Sequence, residues 1–220
     1  SSVNLKKCIK DHSESAFTYL NFKSNLKRTN HKSYVVAVSG GPDSLALAAL
    51  SKIYSNEAKK RFFYVLVNHN IRKNSKTEAT EVKKLLKKYQ INLIILTNKK
   101  KVDKNIQSNA RDIRYKKLIN FCRKKKIKVL LTAHHLEDQV ETFLIRLSRG
   151  SGLKGLSSMR RITKVDSKVF LLRPLLDIKK KSLIKISKCT FRKYIKDPSN
   201  EDKKFLRTKI RNLEKPLKKS

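Results

Sequence analysis

Two hydrophobic periods alternate along this chain. Short, mostly apolar runs at 34–38, 62–67, 91–96 and 129–133 are too brief for helices and predict buried strands. Between them apolar residues recur at helical spacing. Ala79, Val82, Leu85, Leu86 and Tyr89 form one such stripe, and helices are expected at 43–55, 106–124 and 137–149. Residues 3–27, with Val3, Leu5, Ile9, Phe17, Leu20 and Leu26 set among charges, read as one N-terminal helix. Leu144, Ile145 and Leu147 are expected to anchor the 137–149 helix on the sheet. A short strand at 169–172 ends at Pro174, a helix follows at 179–194, and an Asp-Pro-Ser-Asn turn leads into a basic helix at 200–213. Strands alternating with helices predict an α/β fold, a parallel doubly wound sheet, with a short helical C-terminal extension. Such sheets bind ligands beyond the carboxyl ends of their strands.

Composition narrows this picture. The 220 residues, 39% of them apolar, suffice for one α/β domain and a small appendage. No run of 18 apolar residues occurs, so no membrane-spanning helix is expected. The chain opens Ser-Ser-Val-Asn without an apolar leader, which predicts a cytoplasmic protein, and without an initiator Met, which predicts processing or a fragment. Cys8, Cys122 and Cys189 are odd in number and far apart; three reduced, mostly buried thiols are expected, with neither a disulfide nor a zinc site. The net charge of +38 points to nucleic acid. Lysine is also spread throughout with Asn, Ile and Ser, as an AT-rich genome would produce, so part of that charge is compositional. The lysine runs at 99–101, 124–126 and 179–181 read as solvated faces.

The chemistry concentrates at two strand ends. After the first strand comes Ser39-Gly40-Gly41-Pro42-Asp43-Ser44, a tight turn into a helix that Asp43 or Ser44 would cap. Backbone amides and the helix dipole make such a turn an anion site, suited to nucleotide phosphates. It lacks the Gly-Lys-Ser/Thr ending of a Walker loop and is not G-x-G-x-x-G. After the fourth strand, Asp138 and Glu141 share one helix face near its N-terminus, where they could hold an ammonium group or a metal, or simply complement the dipole. His134 and His135 are metal-ligand candidates, or one packed and one solvent-facing histidine.

The first loop resembles the S-G-G-x-D-S loop of the PP-loop ATP pyrophosphatases. Residues 133–156, A-H-H-L-E-D-Q-V-E-T-F-L-I-R-L-S-R-G-S-G-L-K-G-L, resemble the signature of the tRNA(Ile)-lysidine synthetase family, with Glu137 where that family has Asp. Val67-Asn68-His69-Asn70-Ile71-Arg72 resembles its V-D-H-G-L-R, with Asn68 and Asn70 as departures. Asn109–Tyr115, Arg173-Pro174-Leu175-Leu176 and Asp197-Pro198-Ser199-Asn200 match further segments in order, while Lys196, Thr208 and Lys209 depart.

The resemblance implies an ATP-dependent ligase. It would adenylate the wobble cytidine of an isoleucine tRNA with a CAU anticodon, then join L-lysine to that base. Ser39, Gly40, Gly41, Pro42, Asp43, Ser44, His69, Arg111 and His134 would bind ATP, and Asp43 would also hold Mg²⁺. Asp138 and Glu141 would recognise lysine. Asp43, Arg207 and Arg211 would complete the catalytic set, with Arg111 and Arg114 on phosphate or tRNA. It implies an N-terminal helix at 1–30, a PP-loop catalytic domain at 31–156 and an extension at 157–220 completing the site. The C-terminal tRNA-binding domains usual in the family are expected to be absent. A homodimer and no membrane partner are also expected. The alternatives are another PP-loop adenylating enzyme or a non-catalytic protein that binds tRNA and ATP. The thiolase relatives need cysteine pairs that this chain lacks.

Overall fold

The computed structural model describes residues 2–10, 12–70, 74–98, 106–150, 152, 157, 159–192 and 194. Strands β1 (Ser33–Val38), β2 (Arg61–Asn68), β3 (Leu93–Thr97), β4 (Val129–Leu131), β5 (Ile162–Lys164) and β6 (Phe170–Leu172) form one sheet in the order β3-β2-β1-β4-β6-β5. Every neighbouring pair is parallel except β5–β6. The chain runs outward from β1 to β3, then returns to the other side of β1 as β4. The crevice between the carboxyl ends of β1 and β4 is therefore the topological switch point, the place where such sheets bind ligands.

Strand alternation divides the interior in two. Val36, Val38, Leu131 and Leu172 face α3 (Pro42–Ala58), α4 (Ser75–Lys87) and α7 (Lys180–Phe191). Val35, Val65, Leu130 and Leu171 face Leu118 and Cys122 of α5 (Ile106–Lys124). Both faces of the central strands are apolar, which is why they read as unbroken runs. The fold is the doubly wound α/β architecture expected.

Four details differ from the sequence reading. Residues 3–27 form two helices, α1 (Ser2–Lys10) and α2 (Ser13–Lys27), because His12 is extended and sits at the N-cap of the second. Leu5, Ile9, Phe22 and Leu26 join the main core, but Phe17 and Leu20 are each 62% exposed. The buried face of α2 runs through Tyr19, Phe22 and Leu26 together with the polar Ser15, Thr18 and Asn25. Asn25 donates to the Pro174 carbonyl at 3.0 Å, so a polar side chain occupies an inward position that hydrophobicity would not assign.

The cysteine expectation is also corrected. Packing of α1 on α7 brings Cys8 and Cys189 to a Cα separation of 5.8 Å, and they form a disulfide; Cys122 alone is free. Distance along the chain carried no information about distance in space. Burial pushes the Cys122 thiol up to about 12, consistent with an inert core thiol.

Helix α6 (Leu136–Ser148) does not lie on the sheet as expected. Leu147 is 51% exposed, Val140 and Phe143 are exposed beside it, and Glu141 is the one buried residue of α6. The edge strand β5 was missed because Ile-Thr-Lys is short and mostly polar, which suits an edge. Among the described residues no helix is long and apolar enough to cross a membrane.

Candidate active site

The loop after β1 and the loop after β4 meet at the switch point. In the first, Gly41 rather than Asp43 or Ser44 is the N-cap of α3, with Pro42 in the first turn. Proline fits there because its missing amide would have no intrahelical acceptor. Gly40 has φ +89°, a conformation glycine adopts freely. Gly41 has φ −74°, and an added Cβ would meet only Ser39 Oγ at 3.8 Å. Neither its backbone nor its packing demands glycine, so the space at this helix end is left open. Ser44 organises the turn. Its Oγ accepts from Ser39 N–H and Ser39 Oγ, both at 3.1 Å, and donates to the Gly41 carbonyl at 3.0 Å. The amides that open α3 remain directed at a guest.

The second loop is built from ionisable groups. His135, 2% exposed, has Nε2 3.6 Å from Asp43 Oδ2 and 3.5 Å from Asp138 Oδ2. Its Nδ1 lies 3.2 Å from Glu137 Oε2, off the line of a good hydrogen bond. Its backbone N–H donates to Asp138 Oδ2 at 3.1 Å, which closes the first turn of α6. Burial alone would lower the His135 pKa, but Asp43, Glu137 and Asp138 outweigh it and hold the imidazolium up to about 9. Glu137 is depressed to about 2. Burial opposes this, but His135 and the Lys180 N–H, which donates to Glu137 at 2.8 Å, prevail. His134 Nδ1 is 2.8 Å from Thr132 Oγ1. Glu141, one turn beyond Asp138 on the same face, is 3% exposed.

Thus His135 brings Asp43 of the 39–44 loop and Asp138 together at the carboxyl ends of β1 and β4, with His134 just after β4 and Glu141 one turn further along α6. His69 directly follows β2; its Nδ1 is buried without a partner, and burial, then Arg114 and Lys117, lower its pKa to about 4. It is a neutral imidazole at neutral pH. Asn70 sits at φ +55°, which Asn tolerates better than most residues, so this departure keeps the turn. Arg111 stands outside the His135 cluster, on α5 over the Tyr115 ring. Arg207, Arg211, the Asp197–Asn200 segment and the 200–213 helix lie outside the described residues. Of the two readings open for His134 and His135, His135 is the packed histidine, and its contacts with Asp43, Glu137 and Asp138 give it and Glu137 a place in the site that the sequence did not assign. The sign was present: a histidine followed by two acidic residues at the mouth of a strand.

The residues present suit a nucleotide and its magnesium. Asp43 Oδ1 is buried without a hydrogen-bond partner, beside the open helix end. Among the described residues no group of three or more His, Cys, Asp or Glu side chains is arranged so that together they could hold a metal ion. One carboxylate plus ligand phosphates is how Mg²⁺ is usually held.

The comparisons agree with this geometry. The chain is 40% identical over 183 residues to the tRNA(Ile)-lysidine synthase of Orientia tsutsugamushi, covering 83% of this chain and 41% of that protein. It is 42% identical over 186 residues to the enzyme of that name from Wolbachia pipientis wMel, covering 81% and 42%. Against the one from Bradyrhizobium diazoefficiens it is 39% identical, covering 81% and 50%. The chain thus spans half or less of these relatives' length. In structure it is similar to the U34-tRNA thiolase NcsA from Methanococcus maripaludis, with a TM-score of 0.78 at 22% identity over 94% of this chain and 73% of that one. It is also similar to the NH3-dependent NAD synthetase from Campylobacter jejuni, with a TM-score of 0.52 at 15% identity over 95% and 89%. Both likenesses concern the fold. The PP-loop domain family matches residues 13–216, nearly the whole chain, and with its glycine turn at the switch point this chain belongs to that family.

Proposed function

We propose that this chain is the catalytic part of a tRNA(Ile)-lysidine synthase, an ATP-dependent carbon–nitrogen ligase. The observation that carries the reading is His135, which joins Asp43 of the phosphate loop to Asp138 of α6. Activation of one substrate and capture of an amine need two such ends in one site. The relatives named above, matched over more than four fifths of this chain, support the same substrates.

In this reading O2 of the wobble cytidine attacks the α-phosphorus of ATP and pyrophosphate leaves. The side-chain amine of L-lysine then attacks C2 of the base, and AMP leaves. The open α3 terminus holds phosphate oxygens through backbone N–H groups and the hydroxyls of Ser39 and Ser44. Asp43 would hold Mg²⁺, which would supply positive charge beside the pyrophosphate leaving group. His69, neutral, suits a hydrogen bond to nucleotide rather than a charge contact. Asp138 and Glu141 orient the lysine side chain, and one of them takes the proton that its ammonium must lose before the nitrogen can attack C2. Arg207 and Arg211 are assigned here by the resemblance alone. The partner is an isoleucine tRNA with a CAU anticodon, the compartment is the cytoplasm, and the assembly is a homodimer.

The test is direct. The purified chain is incubated with ATP, Mg²⁺, lysine and an unmodified CAU-anticodon isoleucine tRNA, and the nucleosides are analysed by mass spectrometry. A lysine-bearing cytidine is expected. Retained ATP binding without that product would instead make this chain a non-catalytic binding protein.

A further inference from the structure

A parallel sheet sorts its loops, and those that enter β1, β2 and β4 lie together at the amino edge, opposite the crevice. The entering segments read K-R-T-N-H-K at 27–32, K-K-R at 59–61 and R-K-K-K-I-K at 123–128. Register sets them side by side. Arg61 pairs with Ser33, and its N–H donates to the Lys32 carbonyl at 3.0 Å. Lys60 Nζ reaches the turn into β1 and donates to Asn30 Oδ1 at 3.4 Å. Val35 pairs with Leu130, so the same register carried back two residues puts Lys128 beside Ser33. Strands about 4.8 Å apart therefore carry a row of cations across β2, β1 and β4. Lys32, Arg61 and Lys128 are exposed. Glu57, which precedes the second segment, and Asp166, which meets the third, are already ion-paired with Lys23 and Arg123. Burial, then Lys128 and Lys60, lower the pKa of His31 on the turn into β1, as uncompensated positive charge would.

Lysine has a local use here, because α2, α3 and α5 end at this edge and a helix C-terminus favours cations. Each dipole offers only about half a negative charge, however, and the segment closing α5 alone carries five cations in six residues. Lys59 and Lys126 even occupy φ +50° and +55°, where Gly or Asn is less strained. Nor does this charge serve the crevice. Strand β2 has eight residues, so the two edges lie about 25 Å apart. At physiological salt, screening is effective beyond about 8 Å. The surplus acts on an anion that itself reaches the amino edge. An extended row of exposed cations suits the backbone of a polyanion, which is bound through charge rather than through a shaped pocket.

We propose that the amino edge of the sheet, through Lys32, Lys60, Arg61 and Lys128, is a second RNA contact, which holds phosphodiesters of the tRNA body away from the crevice where the anticodon reacts. The identity of the RNA rests on the ligase reading above. The surface rests on the register and the charge of this edge.

The full chain is titrated with an unmodified isoleucine tRNA transcript over a range of salt concentrations. In the triple variant Lys32→Gln, Lys60→Gln, Lys128→Gln, the slope of log K against log salt is expected to become shallower by about 2, and the affinity at physiological salt to fall at least about tenfold. Lys76→Gln, Lys83→Gln and Lys84→Gln remove the same charge from exposed positions on α4, and together they are expected to change the slope by less than about half a unit. In the unaltered chain, tRNA should protect Lys32, Lys60 and Lys128 from acetylation by an amine-reactive ester more than it protects the α4 lysines. That measurement decides the matter if the triple variant does not fold. Equal losses in the two variants, or no protection at the amino edge, would mean that the edge carries only solvated, dipole-matching charge, and the proposal fails. It fails equally if the amino-edge variant keeps its tRNA affinity but loses binding to phosphatidylserine vesicles, which would assign the edge to a membrane surface. Because RNA binding is read directly, failure of lysine transfer in the modification assay overturns the ligase reading and leaves this outcome readable.

Discussion

Two loops face each other across the switch point, and they are made of different materials. The loop after β1 is backbone and hydroxyl: glycines, a proline at the helix start, and Ser44 holding the turn through three hydrogen bonds. The loop after β4 is charge: one buried imidazolium among three carboxylates. The first is a local device, complete within six residues. The second is assembled from Asp43, from α6 and from the N-terminus of α7 through the Lys180 amide. Asp43 belongs to both. The backbone cradle takes its geometry from residues adjacent in sequence, whereas the charged loop has its geometry only when three distant segments have docked.

The sharpest way to break this division is at the shared residue. Asp43→Asn keeps the shape of the loop but removes the carboxylate. Lysine transfer is expected to fall by about three orders of magnitude or more, as for other lost electrostatic partners of a reacting phosphate. ATP binding without Mg²⁺ should weaken far less. Equal losses in both would show that Asp43 shapes the cradle itself. Next in size is His135→Phe. Its packing volume is retained, but Asp43, Glu137 and Asp138 lose their common counter-charge. Removing one partner of such a buried set costs about 3–5 kcal/mol, read as a lower denaturation midpoint with an unchanged m-value.

The charged loop should also respond to pH, and the backbone loop should not. His135 is raised to about 9, so its stabilising contribution is full below its ordinary value near 6.5 and is lost as pH climbs through 9. Glu137 is depressed to about 2, so its contribution is full above its ordinary value near 4.5 and is lost as pH falls through 2. The ligand-free chain should be most stable between these limits and should lose about 3 kcal/mol between pH 6 and pH 10. Denaturant titrations across that range measure it, and in His135→Phe the alkaline decline should disappear. The matching test of the backbone loop is Gly40→Ala. It forces a side chain onto φ +89° and should cost about 1–2 kcal/mol at every pH.

The same division explains what could be read from the sequence. The parallel sheet was legible because central strands buried on both faces read as apolar runs, and the loop at 39–44 because backbone geometry dictates which residues can form it. The pairing of Asp138 and Glu141 followed from helical spacing. His135 was left between two readings because its role depends on Asp43, which reaches it only through the β1–β4 crossing. The inward face of α2 was misjudged for a related reason. Asn25 is buried because the Pro174 carbonyl is there to receive it, and no local pattern reports that partner. The Cys8–Cys189 bond needed α1 and α7 to meet.

Glu137 offers the finest test, because it is where this chain departs from the signature that residues 133–156 resemble. The extra methylene lets the carboxylate reach both His135 and the Lys180 amide at the start of α7. Glu137→Asp restores the family residue and shortens that reach. If the charged loop depends on distant docking, the substitution should cost about 1 kcal/mol through the lost bond to α7. Amide exchange at Lys180 should rise, while lysine transfer stays within a few-fold of the parent because Asp43 and Asp138 still share His135. An unchanged exchange rate at Lys180 would mean that α7 holds its own start, and that the charged loop is as local a device as the glycine turn opposite it.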